Sequence, residues 1–292
     1  MLIANKSWRP IAVVCLIAVG VALAWTRFDR ANVGVPGFYI WERLTGQGHG
    51  GRRADIDGVR IYYETFGKGP PVLVLHGGTG ILESMHNQIA DLAADHLVIA
   101  PDSRAHGRST DGSGPLHYAT MAQDMIGLMD ALHIAKADVV GWSDGGVIAL
   151  DLAMHHPDRI GRVVAIGANF DVAGLTDVPT RQNPEGLGVA GQRSVYRRFS
   201  PTPDRWPVFL AKVETMWARE PHYSATDLGA IRSPVLVIAG EHDEIRRDHT
   251  DALARAIPGA RELIIPGASH WAPLEEPEPV DAAIRAFLAN ER

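Results

Sequence analysis

The stretch Ala137-Asp138-Val139-Val140-Gly141-Trp142-Ser143-Asp144-Gly145-Gly146-Val147-Ile148-Ala149-Leu150 decides the reading of this chain. Ala137–Val140 is a short, largely apolar run of the kind that forms a strand buried on both faces. Val147 to Met154 repeats apolar residues at helical spacing. Between them lies Gly-x-Ser-x-Gly, a turn sharp enough to hold Ser143 in a strained backbone and present its hydroxyl at the end of a strand. The helix that starts there favours negative charge developing beside the serine. Glycine at 141 and 145 is expected because side chains there would strike neighbouring backbone.

Working outward, the same alternation recurs. Asp57-Gly58 joins Ala54–Ile56 to Val59–Tyr63 and reads as a hairpin turn, since glycine accepts the positive φ required. Val72–Leu75, Leu97–Ala100 and Val163–Ile166 resemble Ala137–Val140, and Val235–Ala239 and Leu263–Ile265 follow late in the chain. Met121, Met125, Leu128, Met129 and Leu132 mark a helix by their three- and four-residue spacing, and Val280–Leu288 marks another. A hairpin leading into strand–helix units implies an α/β fold with a mostly parallel sheet covered on both faces. Chemistry is then expected in the loops after strands.

One segment breaks the rhythm. Residues 171–232 show no buried strand, and proline recurs at 179, 184, 201, 203, 207 and 221. Here Asp204 is placed to cap a helix whose apolar face is Trp206, Phe209, Leu210, Val213, Met216 and Trp217. Two tryptophans on so short a helix suggest a lid over an apolar pocket, with Trp206, Phe209 and Trp217 lining it. An ordinary packing helix has the same pattern.

A serine hydroxyl needs a base to take its proton, and the base needs an orienting carboxylate. In this architecture the chain order is serine, acid, histidine. Val235–Ala239 runs into Gly240-Glu241-His242-Asp243-Glu244, which makes Asp243 the acid, with Glu241 and Glu244 in reserve. His270 lies in Pro266-Gly267-Ala268-Ser269-His270-Trp271, in the loop after the last strand, and is the base. His76-Gly77-Gly78-Thr79-Gly80 also follows a buried strand. Its backbone and that of the residue after the nucleophile would supply an oxyanion hole from the N–H groups of Gly78 and Asp144. A phosphate loop fails for want of a Gly-Lys-Ser/Thr ending. His242 and His249 beside Asp243 lack the third ligand and the spacing of a metal site. Trp271, next to the base, joins the candidates for substrate contact. So does the Asp144 carboxylate, which either binds a protonated amine on the substrate or points into the fold as scaffold.

From about Asp55 onward the chain resembles the α/β-hydrolase fold superfamily. Pro101-Asp102-Ser103-Arg104-Ala105-His106-Gly107-Arg108-Ser109 matches its loop after the fourth strand, with Ala105 where glycine is usual. Gly141–Gly146 and Gly167-Ala168-Asn169 look most like the valacyclovir hydrolase (biphenyl hydrolase-like) group of serine hydrolases. Serine at 143, rather than aspartate, sets the chain apart from the haloalkane dehalogenase and epoxide hydrolase branches. The resemblance implies an eight-stranded sheet with a lid between the sixth and seventh strands. It also implies hydrolysis of an ester, lactone or small amide through an acyl-serine, with no metal or organic cofactor. Two other readings remain: C–C bond hydrolysis or cofactor-free perhydrolysis on the same residues, and a non-catalytic binding protein of this fold.

Composition sets the outer limits. The chain of 292 residues is 46% hydrophobic and 21% charged, with 30 Gly and 19 Pro, which is globular material without a collagen-like period. A net charge of −6 with cations scattered among acids argues against a nucleic-acid partner. The single cysteine, Cys15, excludes an intrachain disulfide framework. Lys6 and Arg9 precede fifteen uncharged residues, Ile11–Trp25, which suit the apolar region of an export signal. Residues 1–25 are therefore expected to be a signal peptide cleaved after Ala24, or an uncleaved anchor with its N-terminus in the cytoplasm. Either places the body outside the cytoplasm, exported or membrane-anchored. Residues 26–53 read as a tether and 54–292 as the folded domain. The partner expected is a small-molecule ester, with the membrane met only through the N-terminal segment.

Overall fold

The computed structural model describes residues 50–176 and 187–289. The segment expected to be a signal or anchor lies outside them, as does most of the tether. Among the described residues no helix is long and apolar enough to cross a membrane.

Eight strands form one sheet in the order β1-β2-β4-β3-β5-β6-β7-β8. They are β1 Arg52–Ile56, β2 Val59–Phe66, β3 Pro71–Leu75, β4 Leu97–Pro101, β5 Ala137–Trp142, β6 Ile160–Ile166, β7 Val235–His242 and β8 Arg261–Ser269. The first is two residues longer at its start than the sequence pattern shows, so it reaches into the stretch read as tether. Asp57 and Gly58 both take positive φ, and β1 and β2 pair antiparallel from Arg52↔Tyr63 to Ile56↔Val59. Strand β2 is antiparallel to β4, and every pair from β4 through β8 is parallel. Strand β3 shows why the centre tolerates no polar face: Val72, Leu73, Val74 and Leu75 are all fully buried, two on each side.

Helices cover both faces. They are α1 His86–Leu92, α2 Tyr118–Ala131, α3 Asp144–His155, α4 Leu187–Phe199, α5 Trp206–Trp217, α6 Ala225–Gly229, α7 Arg247–Ala256, α8 Ala272–Glu275 and α9 Pro277–Ala289. One core gathers Met121, Met125 and Leu128 of α2 with Ile148 and Leu152 of α3. The other gathers Ile89 of α1 with Val280, Ile284 and Phe287 of α9. Alternating sheet residues divide between them: Leu73 and Val139 join the first, Val72 and Val140 the second. Helices α1 and α9 are also joined by a polar contact. The Gln88 amide donates to Pro273 O at 3.2 Å and to Asp281 Oδ1 at 2.7 Å.

The insertion between β6 and β7 carries α4, α5 and α6. Asp204 does not cap α5. It sits in a short turn, Pro203–Arg205, that runs straight into the helix, and the N-cap is Arg205 with no side-chain hydrogen bond. The reason is Pro203, whose fixed φ starts a helical turn early and leaves Asp204 inside it. Helix α5 and the residues after it are tied to the body at two further points. Lys212 Nζ donates to Asp111 Oδ1 and Oδ2 at 2.8 and 2.7 Å and to Gly112 O at 3.0 Å. Glu220 pairs with His117 and accepts the Tyr118 N–H at 3.1 Å, at the start of α2.

Candidate active site

Ser143 lies between β5 and α3 with φ 55° and ψ −119°, a conformation that costs of order 1–3 kcal/mol for a residue with a side chain. Its surroundings over-determine it. Ser143 N–H donates to Ile166 O at 2.7 Å, and Ser143 O accepts from Val147 N–H at 3.0 Å. A Cβ at Gly141 would lie 2.1 Å from Gly145 O, and one at Gly145 would lie 2.3 Å from Leu75 O. The tight turn therefore exists only with glycine at both sites.

His270 follows the end of β8, and its Nε2 lies 2.9 Å from Ser143 Oγ. Its Nδ1 lies 2.7 Å from Asp243 Oδ1, just beyond β7. A carboxylate accepts only, so Nδ1 carries the proton and Nε2 turns its lone pair to the serine hydroxyl. Asp243 is itself held, accepting Ile245 N–H at 2.9 Å and Gly240 N–H at 3.3 Å. Of the reserve acids, Glu241 instead accepts the Gly267 N–H at 2.8 Å. Glu244 acts on His270 by charge alone. Burial pulls the imidazole pKa down. The hydrogen bond and charge of Asp243, with Glu244 and Asp144 adding to it, outweigh burial and leave the pKa above its ordinary value. The loop is steadied from behind by Trp142 Nε1, which donates to His270 O at 2.8 Å. Ser269 also binds Glu275 of α8, through its N–H at 2.7 Å and its hydroxyl at 2.9 Å.

A nucleophile turn with this backbone, and a histidine bridging it to an acid across parallel strand ends, is the layout of one large group of proteins. The family described as alpha/beta hydrolase fold matches residues 70–188. The chain has the α/β-hydrolase fold and is a hydrolase. It is 29% identical over 245 residues to Esterase YbfF of Escherichia coli (strain K12), covering 75% of this chain and 92% of that one. It is also 29% identical over 235 residues to the human Serine hydrolase BPHL, covering 74% and 78%. Among solved structures it resembles the enol-lactonase from Burkholderia xenovorans LB400, with TM-score 0.66 and 25% identity over 82% of this chain and 100% of that one. Two relatives at equal identity carry the superfamily and leave the valacyclovir hydrolase subgroup unresolved.

The hydrolase places the other sequence-derived candidates unequally. Asp144 and Trp217 meet beside the nucleophile. Trp217 Nε1, at the end of α5, donates to Asp144 Oδ1 and Oδ2 at 2.9 and 3.0 Å. The Tyr118 hydroxyl donates to Oδ1 at 2.8 Å. Burial and the neighbouring carboxylate push the Tyr118 phenol well above its ordinary pKa, so it stays a donor. The Gly78 backbone lies against this pair, since a Cβ there would come 2.4 Å from the Trp217 ring and 2.5 Å from Asp144 Oδ2. Trp206 and Phe209 are instead buried in the core that α2 and α3 share with this insertion. Tyr196 stacks on Phe209 at 4.7 Å and meets Trp206 edge-on at 5.6 Å, and Phe209 packs edge-on against His106 of the body at 4.8 Å. Their helical spacing serves packing. Trp271 is 43% exposed, edge-on to Trp142 at 5.0 Å, on the outer side of the histidine loop.

His76 is a positioning residue that the sequence reading passed over as part of a glycine-rich loop. It is 1% exposed, with Nδ1 2.7 Å from Gly77 O and Nε2 3.0 Å from Ser103 N. Ser103 N–H donates, so Nε2 accepts and Nδ1 gives its proton to the Gly77 carbonyl. That carbonyl shares a rigid peptide plane with the N–H of Gly78, so His76 fixes the direction of that N–H. Burial holds the His76 pKa below its ordinary value despite the raising charge of Asp102, and the ring stays neutral as both contacts require. Asp102 anchors the same region. It accepts Leu82 N–H at 2.9 Å and Arg108 N–H at 2.8 Å, and pairs with the Arg108 guanidinium at 3.0 Å. His249, considered as a metal ligand, stacks on Phe170 at 3.9 Å and accepts its N–H at 3.1 Å.

Proposed function

We propose that this hydrolase cleaves a small carboxylic ester, or a lactone or small amide, through an acyl-serine intermediate. The observation that carries the reading is the single imidazole poised between Ser143 Oγ and Asp243 Oδ1. His270 Nε2 takes the Ser143 proton as the oxygen attacks the substrate carbonyl carbon. Asp243 holds the Nδ1 tautomer and supports the imidazolium that forms. The N–H groups of Gly78 and Asp144 receive the oxyanion, the first fixed through His76 and the second at the start of α3. His270 then returns the proton to the leaving alcohol, and the acyl-serine is hydrolysed by a water that gives its proton to the same nitrogen. A relative named as an esterase and a solved enol-lactonase support the ester and lactone classes. The chain is further proposed to act outside the cytoplasm, exported or anchored through residues 1–25.

Labelling by a fluorophosphonate probe, followed by an aryl ester and lactone panel, tests the reading. Ser143→Ala is expected to abolish labelling, and Ser143→Ala or His270→Ala to remove nearly all turnover. Asp243→Asn should be severe and Glu241→Gln mild, because only the former faces the ring. Ester turnover within about tenfold of wild type in Ser143→Ala would end the proposal. Preference for a diketone over every ester would replace it with C–C bond hydrolysis.

A further inference from the structure

Four neighbouring strands each begin beside a cation. Lys136 precedes β5, Arg162 is the third residue of β6, Arg232 lies three residues before β7, and Arg261 opens β8. These strands are adjacent and parallel, so the cations share the end of the sheet opposite to Ser143, Asp243 and His270. All four line one cavity of about 580 Å³, with Asp158 and Phe287 in its wall.

The charge there is unbalanced. Among the described residues none of the four is in an ion pair, whereas Arg104, Arg108 and Arg159 all are. Like charges that line one cavity repel, most strongly where they are least solvated. Helix carboxyl ends at this side of the sheet bring only partial negative charge; against the four cations stand Asp158 in the wall and Asp138, whose Oδ1 accepts the Arg162 N–H at 2.6 Å. In a protein whose net charge is −6, four cations without an ion pair nonetheless meet around one hollow.

Guanidinium groups match phosphate oxygens with paired N–H donors, and lysine adds a compact charge. The Arg261 guanidinium lies over the Phe287 ring at 5.8 Å, which gives the hollow an apolar wall next to its charge. We propose that this cavity binds a phosphate-bearing anion with an organic portion attached, at a site separate from the catalytic one. Two sources share that chemistry: an anionic phospholipid headgroup and a soluble organic phosphate. The reading of residues 1–25 as a signal or anchor is what makes the lipid source worth a separate arm.

The test uses the full chain in a nonionic detergent, titrated calorimetrically with dihexanoyl phosphatidylglycerol, glycerol 3-phosphate and dihexanoyl phosphatidylcholine. At least one of the two anions is expected to bind about tenfold more tightly than the zwitterion, and rising salt should weaken it. Arg162→Gln/Arg232→Gln should weaken that binding about tenfold while the rate of ester hydrolysis is unchanged. Should the double variant fold poorly, Arg261→Gln, at an exposed strand start, is expected to weaken binding in the same direction. Phosphatidylglycerol binding more tightly than glycerol 3-phosphate assigns the site to headgroups, and equal binding assigns it to soluble phosphates. Anions that bind no better than phosphatidylcholine, or variants that bind as wild type does, overturn the proposal.

Discussion

Asp281→Asn is expected to stabilise the hydrolase at neutral pH and to leave it unchanged in acid. Asp281 sits on α9, largely buried, facing Gln88 of α1. Burial raises its pKa from 3.8 to about 6, and the hydrogen bond from Gln88 offsets that only in part. Because the folded pKa lies above the unfolded one, protonation favours the native state. That stability is fully present below the unfolded pKa and is lost as pH rises through about 6. A shift of about two units, at 1.36 kcal/mol each, makes the ionised carboxylate cost about 3 kcal/mol near pH 7. Asparagine carries no charge and keeps an oxygen for Gln88. Its NH2 also offers a donor to Gln88 Oε1, which is buried without a partner. Urea unfolding of wild type and variant, followed from about pH 4 to about pH 8, should show a difference near zero in acid that grows to about 2–3 kcal/mol in favour of the variant. A difference that is constant across the range, or that favours wild type at high pH, would refute the assignment of the penalty to this carboxylate.

Other expectations concern the site. The acid limb of kcat/KM should have its midpoint above the ordinary histidine value of about 6.5. His270 must be neutral to act, and Asp243 holds its pKa up. Glu244→Gln should move that limb to lower pH with little loss at its plateau, and an unmoved limb would remove Glu244 from the electrostatics. Gly78→Ala should lower kcat by about 10- to 100-fold, because the new methyl strikes Trp217 and Asp144 beside the N–H proposed for the oxyanion; wild-type kcat would mean that this N–H is not used. For two esters differing only in an α-amino group, we expect equal rates, since the Asp144 carboxylate is already engaged by Tyr118 and Trp217; amine selectivity that collapses in Asp144→Asn would show the opposite. Ala105 holds φ 66° where a side chain is strained, so Ala105→Gly should raise stability by about 0.5–1 kcal/mol, read from the melting temperature.

The residues that could be read from sequence are those whose role depends on local order. Ser143 and Asp243 follow buried strands and His270 follows the last strand, and that placement singles out His270 among thirteen histidines. What escaped depends on partners distant in sequence. Trp217 and Asp144 are 73 positions apart, and nothing along the chain says that an indole N–H will close on the residue after the nucleophile. The apolar face Trp206–Phe209–Val213 has one spacing whether it lines a pocket or packs a core, and the sequence left both open. His76 looked like part of a glycine loop because its work is done by ring nitrogens aimed at Gly77 and Ser103. Asp204 does not act as the expected cap because the proline before it turns the chain one step sooner.

The order of the strands has a consequence for when the protein becomes active. Ser143 and its turn need only β3, β5 and β6 around them, all made in the first half or just beyond it. The histidine is carried by β8, the last strand, which pairs with β7 alone at the edge of the sheet. Helix α9 follows it and packs its apolar face against the core beneath. A nascent chain would therefore display the Ser143 turn long before it owns the imidazole proposed to activate it. On the proposed mechanism the serine would stay silent until β8 pairs with β7 and α9 closes on the core.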